Sequence, residues 1–451
     1  MRIETALVLF NRDLRVHDHP ALAAAARAER AVPLFVFDER LLGSRFAAPN
    51  RVAFMLEALR DLDGELRKRG GRLVVRHGDP AREAVAVARE CGASAIHASA
   101  DYSAYARGRE ERLRRACEEE RIELTLHPGV TVVPPGAVTP GGGDHFKVFT
   151  PFHRAWSGLP WREQVGAPRK LSLPPKLKAG RIPALDSLID GRPSPHRLPG
   201  GEGEGRRLMR AFLRDGLGAY EGRHDDLPSG GTSRLSAYVR WGCVSPLELA
   251  REANERRGGA AFARQLCWRD FHHQVLAATP SLPRRDYRPR RDRWSRSQRA
   301  LEAWQQGRTG YPLVDAAMRQ LAAEGFMHNR ARMTVASFLC KDLYVDWRAG
   351  AWHFWDLLTD GEIANNAGNW QWVAGTGNDT RPNRVLNPIR QAQRFDPKGT
   401  YARRYLPELE SVEGRAIFRP WLSKGFERLD YPPPLVDHDE AAAAFRAHRG
   451  A

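Results

Sequence analysis

Residues 364–388 read ANNAGNWQWVAGTGNDTRPNRVLNP, and this stretch decides how the rest of the chain is read. It sets Trp370 and Trp372 one residue apart, surrounds them with Asn365, Asn366, Asn369 and Asn378, and follows them with glycine turns and basic residues. Asparagine is a poor helix former whose amide reaches its neighbours, and an indole is a large flat face with one donor. A segment that only packs does not need this mixture. Two readings stay open at this point, a buried turn between helices and the wall of a pocket for a flat aromatic ligand.

Working outward, the nine tryptophans between 241 and 372, of 12 in the chain, put most of the aromatic mass in the same half. A chain of 451 residues has room for two or three domains. Its net charge of +17, from 71 Lys and Arg against 54 Asp and Glu, favours a polyanionic partner such as nucleic acid, although a GC-rich genome also raises arginine content. No run of 18 apolar residues exists, so no membrane span is expected, and the start MRIETALVLFNRDLR reads as a first strand, with a cytoplasmic location as the default. The five cysteines form no C-x-x-C pair, so neither a disulfide framework nor a metal site is indicated.

Residues 1–127 alternate short apolar runs with amphipathic patterns: ALVLF, AVPLFVFD at 31–38, RLVVRHG at 72–78, AIHASA at 95–100 and ELTLH at 123–127. The alternation predicts an α/β domain with a parallel sheet, Rossmann-like but without the G-x-G-x-x-G fingerprint. Between the second and third runs, Val52, Met55, Leu56, Leu59, Leu62 and Leu66 mark one face of a helix. Ligands of such sheets lie at the carboxyl ends of strands, which singles out Asn11, Arg12, Phe37, Asp38 and Asp101. In VHDHP, a metal site at His17 and His19 is weighed against Asp18 as the N-cap of a helix that Pro20 opens; the cap is the favoured reading.

Residues 128–204 hold a run of prolines and GGG at 141–143 and read as an interdomain linker, inside which DHFKVFTPFHRAW at 144–156 looks ordered. From 205 to 430 helical patterns take over, and 431–451 is left as a C-terminal tail. In the helical half, Gly230 and Gly231 lead into Thr232, Ser233, Arg234, Leu235 and Ser236, a turn whose amides and hydroxyls suit phosphate or simply start a helix. Gln265 and Trp268 share a helix face, with Arg269 beside them; Asn329, Arg330 and Met333 recur at helical spacing. RRDYRPRRDRWSR at 284–296 interleaves basic and aromatic residues, as nucleic-acid binders do, and as solvated loops also can.

TSRLS at 232–236, WRDF at 268–271, TGYPLVDAAMRQL at 309–321, MHNRARM at 327–333, KDLYVDWR at 341–348 and ANNAGNWQW at 364–372, with DLRVHDHPAL and VFTPFHRAW upstream, together resemble the DNA photolyase and cryptochrome family over nearly the whole chain. The resemblance implies an N-terminal antenna domain and an all-α C-terminal domain holding FAD, most like a bacterial class I cyclobutane pyrimidine dimer photolyase. Tyr220 and Thr232–Ser236 would hold the diphosphate side of FAD, and Arg269, Asn329, Arg332, Asp360, Glu362 and Asn366 the rest. Trp370, Trp347 and Trp294 would carry electrons inward, and Gln265, Trp268, Arg330, Met333 and Trp372 would face a flipped-out lesion in UV-damaged DNA. The implied reaction is electron transfer from excited reduced FAD to the lesion, in a monomer without an obligate protein partner.

Several positions depart from the family pattern. Gln265 stands where many dimer photolyases carry Glu, and Glu362 where many carry Asp. Arg107 and Gly108 replace the Asn-Glu pair of folate-binding members, so a deazaflavin is favoured over folate as a second, antenna chromophore. Gln265 is also found in six-four photolyases, but these carry two histidines where this chain has Asn329 and Met333. A cryptochrome-type photoreceptor is the other alternative. Asn366, where plant-type cryptochromes carry Asp, and an end at Ala451 without a long disordered tail favour repair.

Overall fold

In the computed structural model, which describes residues 3–450, all five apolar runs of the N-terminal region become strands. They are β1 (Thr5–Phe10), β2 (Arg30–Asp38), β3 (Val74–Gly78), β4 (Ala95–Ser99) and β5 (Glu123–His127), all parallel in the order β3-β2-β1-β4-β5. Parallel neighbours need crossover helices, and helices cover both faces, which is why β1 and most of β2 are buried along their length and read as continuous apolar runs. The order reverses between β1 and β4, so the chain leaves β1 and β4 on opposite sides of a crevice at their carboxyl ends. The helix Pro49–Arg67 forms where the periodicity placed it, opened by Pro49 at its first turn, with Val52, Met55, Leu56, Leu59, Leu62 and Leu66 all buried. One local expectation is corrected. His19, not Asp18, caps the helix Pro20–Ala25, its Nδ1 accepting from Leu22 N–H at 3.0 Å. Asp18 sits at φ +48° and is drawn off by a bidentate bond to Arg162 (2.6 and 2.8 Å) and a short bond from Ser245 Oγ.

Packing groups the chain into two compact units, one of Met1–Pro193, Leu198–Gly218 and Ser233–Pro280, the other of Ser194–Arg197, Ala219–Thr232 and Ser281–Ala451. Division by element type sets the helical region off at 205; grouped by packing, the helices Glu202–Ala211, Pro246–Asn254 and Ala260–Ala278 belong with the sheet. The reason is visible at Arg15, which is 1% exposed and donates to the carbonyls of His17, Asp18, Gly129 and Gly242. Glu202 accepts from the Val16 and His17 backbone amides at 2.7 and 3.1 Å. The proline-rich segment is likewise tied down. Its helix Phe149–Gly158 packs on Ala260–Ala278, and residues 172–180 line the edge of the sheet, Ala31 N–H donating to Ser172 O (2.8 Å) and Val75 N–H to Ala179 O (2.6 Å). Gly180 is obligatory there: at φ +72° a Cβ would lie 2.4 Å from Val75 O.

The second unit is helical around one apolar cluster that includes Trp304, Met318, Phe338, Trp347, Phe354 and Trp370. Asn329–Ser337 runs into a wide π-turn, Phe338–Asp342, and Trp347–Leu357 packs against Ile363–Ala374. Gly350 sets that last distance, since a Cβ would meet the Trp370 ring at 2.2 Å. Residues 431–451, set apart in the sequence as a tail, carry a helix, His438–His448, that buries Phe445. Just beyond it Arg449 bonds Asp292 through Nε (2.7 Å) and Nη2 (2.8 Å), both side chains 3% exposed or less, while Tyr344 donates its hydroxyl to the same carboxylate. Removing one partner strands a buried charge, so Arg449→Met should destabilise the folded state by about 3 kcal/mol in reversible denaturant unfolding. A loss under about 1 kcal/mol would mean that water reaches Asp292.

Candidate functional site

In the first unit, polar side chains converge at the carboxyl ends of β1, β2 and β4. Of the residues the strand-end rule singles out, Arg12 lies 3.6 Å from Asp101, and Asp38 accepts the Tyr105 hydroxyl at 2.5 Å while capping the turn after β2. Asn11 is half-buried and donates its backbone N–H to Asp13, Phe37 is buried in a stack with His77, and Asp38 and Asp101 are themselves buried. Sequence reasoning passed over Tyr105 and Glu110, which lie on the helix Ala104–Glu119 and are brought in only by the fold. Burial pushes the Glu110 carboxyl up to about 7, against the backbone amide of Asp101 that it accepts from. At Arg107, the guanidinium donates to Ala277 O (3.1 Å).

The helix Ala260–Ala278 carries Gln265, Trp268 and Arg269. Gln265 is exposed, Trp268 half-buried and Arg269 buried. The Trp268 ring stacks on Phe149 at 3.6 Å and 3°, so one indole face is covered by protein. Arg269 Nη1 donates to Val130 O at 2.6 Å. What aims this face is Asp270 on the other side of the helix: a single carboxylate oxygen accepts from Val132 N (3.0 Å), Val133 N (2.9 Å) and Trp156 Nε1 (2.9 Å). Burial outweighs the Arg269 charge and pushes Asp270 up to about 6. Ser233 Oγ accepts from Leu235 N–H, Arg234 stands at φ +56°, Leu235 is buried and Ser236 exposed; the helix they open, Ser236–Arg240, has no side-chain cap. The hydroxyls therefore shape a turn, and only Ser236 begins a helix.

In the second unit, Tyr220 is buried with its ring on His224, and Thr232 is half-buried after Gly230, which takes φ +62°. At the start of Asn329–Ser337 the cap is His328, whose Nδ1 accepts from Arg330 N–H at 3.2 Å; burial pulls the imidazole down to about 4. Asn329 is exposed, and Met333, one turn on, is half-buried. Arg330 pairs with Asp225 (2.5 Å) over the ring of Phe395, and Arg332 forms a bidentate pair with Asp360 (3.2 and 2.8 Å). Glu362 is buried and receives Asn365 Nδ2, and Asn366 donates its Nδ2 to Ala351 O (2.9 Å), which fixes its amide plane. Trp370 and Trp347 are 3% and 0% exposed, and Trp294 is half-buried against Tyr344. Trp347 Nε1 donates to Asp286 at 2.9 Å. Trp372, half-buried, lies under the Arg384 guanidinium at 5.3 Å. The basic segment 284–296 is held in place by Gln371, whose amide bonds Leu282 O, Arg285 O and Tyr287 N, while Arg284, Arg285, Arg290, Arg291 and Arg293 stay exposed.

Two family models match, one described as DNA photolyase over residues 6–169 and one as the FAD binding domain of DNA photolyase over 262–450. A deoxyribodipyrimidine photo-lyase of Streptomyces griseus is 52% identical over 455 residues, covering 99% of this chain and 100% of its own. The chain belongs to the DNA photolyase family. Similar solved structures are a bacterial class III photolyase from Agrobacterium tumefaciens (TM-score 0.92, 30% identity, covering 100% of this chain and 98% of that one) and a cryptochrome of Synechocystis sp. PCC6803 (TM-score 0.91, 30% identity, 99% of both chains). The region 262–450 of this photolyase-family chain is thus an FAD-binding domain, and Tyr220 and Thr232–Ser236 lie upstream of the match. Its residues fit a polar cofactor on a structural count. Trp370 Nε1, His328 Nε2 and Thr359 Oγ1 are buried without a protein partner, and each adjoins a residue that the resemblance assigns to the flavin: Asn366 one turn before Trp370, Asn329 after His328, Asp360 after Thr359. Among the described residues no cluster of three or more His, Cys, Asp or Glu gathers as metal ligands, and no helix is long and apolar enough to cross a membrane.

Because three donors converge on one oxygen of Asp270, Asp270→Ala should cost about 3 kcal/mol in unfolding free energy and loosen the helix that aims Trp268. Denaturant titration followed by tryptophan emission measures it; an unchanged midpoint would mean that the three donors find water instead.

Proposed function

We propose that this chain is a light-driven deoxyribodipyrimidine photo-lyase that splits cyclobutane pyrimidine dimers in UV-damaged DNA. Reduced FAD, when bound, supplies the light-excited electron for that cleavage and takes it back. The chain's own residues bind, orient and screen. Tyr220 and Thr232–Ser236 hold the diphosphate side; Arg269, Asn329, Arg332, Asp360, Glu362 and Asn366 hold the rest. The Arg332–Asp360 pair and the Asn366 amide are already fixed by protein partners, so these groups need no reorganisation to receive a ligand. Gln265, Trp268, Arg330, Met333 and Trp372 face the flipped-out lesion. Trp268, backed by Phe149, is a rigid stacking face, and Gln265 can accept from a pyrimidine N–H and donate to its carbonyl. The exposed arginines of 284–296 track the phosphates.

The observation that supports the choice of lesion is the place of His328, whose Nδ1 is taken up in capping a helix, beside Asn329 and Met333. Six-four repair needs a proton delivered to a migrating oxygen, and cyclobutane cleavage does not. His328 caps a helix and is held neutral by burial at about 4, and the neighbouring positions, Asn329 and Met333, hold no acid. A stacking wall without an acid suits the cyclobutane dimer. In the antenna region, Arg107 is engaged with Ala277 O and Gly108 has no side chain, which favours a deazaflavin over a folate as second chromophore. The protein acts as a monomer in the cytoplasm on this reading. Chemically reduced protein under visible light should repair cyclobutane dimers in defined oligonucleotides and leave six-four products intact; Gln265→Glu should retain that activity, and Met333→His should not confer six-four repair. Efficient repair of six-four lesions with dimers untouched would overturn the assignment.

Trp370, Trp347 and Trp294 carry electrons from the surface inward to the flavin. Their burial grades from the deep Trp370 and Trp347 to the half-exposed Trp294, and the Asp286 carboxylate on Trp347 Nε1 favours the positive charge that a relaying indole must hold. Phe at position 347 keeps a flat ring but is much harder to oxidise. Trp347→Phe should therefore slow light-driven reduction of oxidised flavin by at least about 100-fold, of the order that disrupting a positioned catalytic group costs, with repair by pre-reduced protein nearly unchanged. Photoreduction at the unmodified rate, followed by flavin absorbance, would place the electron path elsewhere.

A further inference from the structure

Lys341 stands out among the buried charges of the second unit because its partners are not carboxylates. It lies in the π-turn Phe338–Asp342 that continues the helix Asn329–Ser337 and is 2% exposed. Its ammonium donates to two backbone carbonyls, Pro382 O (3.0 Å) and Arg384 O (2.6 Å), and sits 5.4 Å from the ring of Phe445. Both carbonyls belong to the loop 375–387 between Ile363–Ala374 and Pro388–Phe395, and they flank Asn383. That loop carries Arg384, whose guanidinium covers Trp372. At its margins the chain is anchored by Arg290 to Gly375 O (3.1 Å), by Arg449 to Ala374 O (2.9 Å) and by Leu386 N–H to Ser337 Oγ (3.1 Å). Between these anchors, Lys341 holds the curve.

We propose that Lys341 is a positioning residue for DNA: its buried ammonium holds the 382–384 backbone so that Arg384 is set against Trp372, at a cost to the stability of the fold. This rests on the reading that Trp372 and Arg384 face damaged DNA. A cation stripped of water and answered only by carbonyls is a poor way to stabilise a core, and an apolar side chain of similar volume is commonly as good or better. Burial pulls Lys341 from its ordinary 10.5 down to about 8. The folded pKa lies below the unfolded one, so the fold is penalised while the group is protonated, below about 8, and that penalty fades as pH rises toward 10.5. The hold on the loop runs the other way. A neutral amine loses the charge-assisted part of both bonds as pH passes 8. The charged and titratable groups facing it are Cys340 and Asp342 on its own turn, Asp379 and Arg384 on the loop, and Arg449 beyond the C-terminal helix. Burial pushes the Cys340 thiol upward and sets Asp342 at about 6, where it pairs with His438, so within the π-turn Lys341 is the group brought down to about 8.

The experiment is a fluorescence-anisotropy titration of a duplex carrying one cyclobutane dimer, with the flavin-loaded full chain and its Lys341→Met variant, at pH 7 and pH 9, beside thermal unfolding of both. The expected result is a thermal midpoint for K341M equal to or above wild type, affinity for the duplex about tenfold weaker at pH 7, and a loss of wild-type affinity between pH 7 and 9 that the variant does not share. Trypsin should also cut after Arg384 faster in the variant, because the released loop is accessible. Equal affinities at both pH values overturn the inference, and so does a variant that loses flavin and thermal midpoint together, since that is the signature of a purely structural lysine. A wild-type chain that fails to bind the damaged duplex overturns the functional reading instead, and this inference with it.

Discussion

A charge taken out of water must be answered by hydrogen bonds from wherever in the chain they can be brought, and both units are organised by that constraint. Arg15, fully desolvated, draws carbonyls from residues 17–18, 129 and 242 to one point, and Asp270 gathers Val132, Val133 and Trp156 onto one oxygen. The bonds to Gly129 and Gly242 and those of Asp270 join stretches more than a hundred residues apart, which is why the helices Glu202–Ala211, Pro246–Asn254 and Ala260–Ala278 pack with the sheet and the proline-rich segment is not a free tether. In the second unit Asp292 does the same for Arg449 and Tyr344, converting the last turn of chain into part of the core. Each group is expensive to bury and more expensive to orphan, so each fixes a register that apolar packing alone leaves loose.

Which helix faces are held and which are presented follows from these anchors. The helix Ala260–Ala278 is held from behind by Asp270, which leaves Gln265 exposed and Trp268 pressed against Phe149. The helix Ile363–Ala374 is held by Gln371 and by the missing side chain at Gly350, which allow Trp370 to lie against its neighbour without moving the asparagine face. A cofactor that performs the difficult chemistry asks its protein for orientation and electrostatics, and rigid helices with pre-paired polar groups provide both. The bonds Arg332–Asp360 and Asn366–Ala351 show that pre-pairing directly.

Much of this was legible in the residues. Strands buried on both faces, as β1 and most of β2 are, have to be apolar throughout, so these runs and the three shorter β-type runs after them announced the parallel sheet, and the 3.6-residue pattern of Val52 to Leu66 announced its first long helix. The mixture of Trp, Asn and Arg in 364–388 carried part of the resemblance to the family, which the matches over 6–169 and 262–450 show. Local rules failed where a distant partner outbid a near one. Asp18 is a good cap by sequence, but Arg162 and Ser245 take its oxygens, and His19 caps in its place. Tyr105 and Glu110 carry no motif, and they reach the sheet's crevice only because their helix is laid along it.

The sequence by itself determined the fold class and the family, because periodicity and residue chemistry are local properties and the ordered set of motifs is specific. Only the tertiary structure decided where the chain divides, which side of each helix is held and which is presented, and what protonation state a buried group keeps. The physical reason is that burial and long-range hydrogen bonds are properties of the assembled chain: His328 is neutral, Glu110 sits near 7, Lys341 near 8 and Asp270 near 6 because of surroundings contributed by residues far away in sequence.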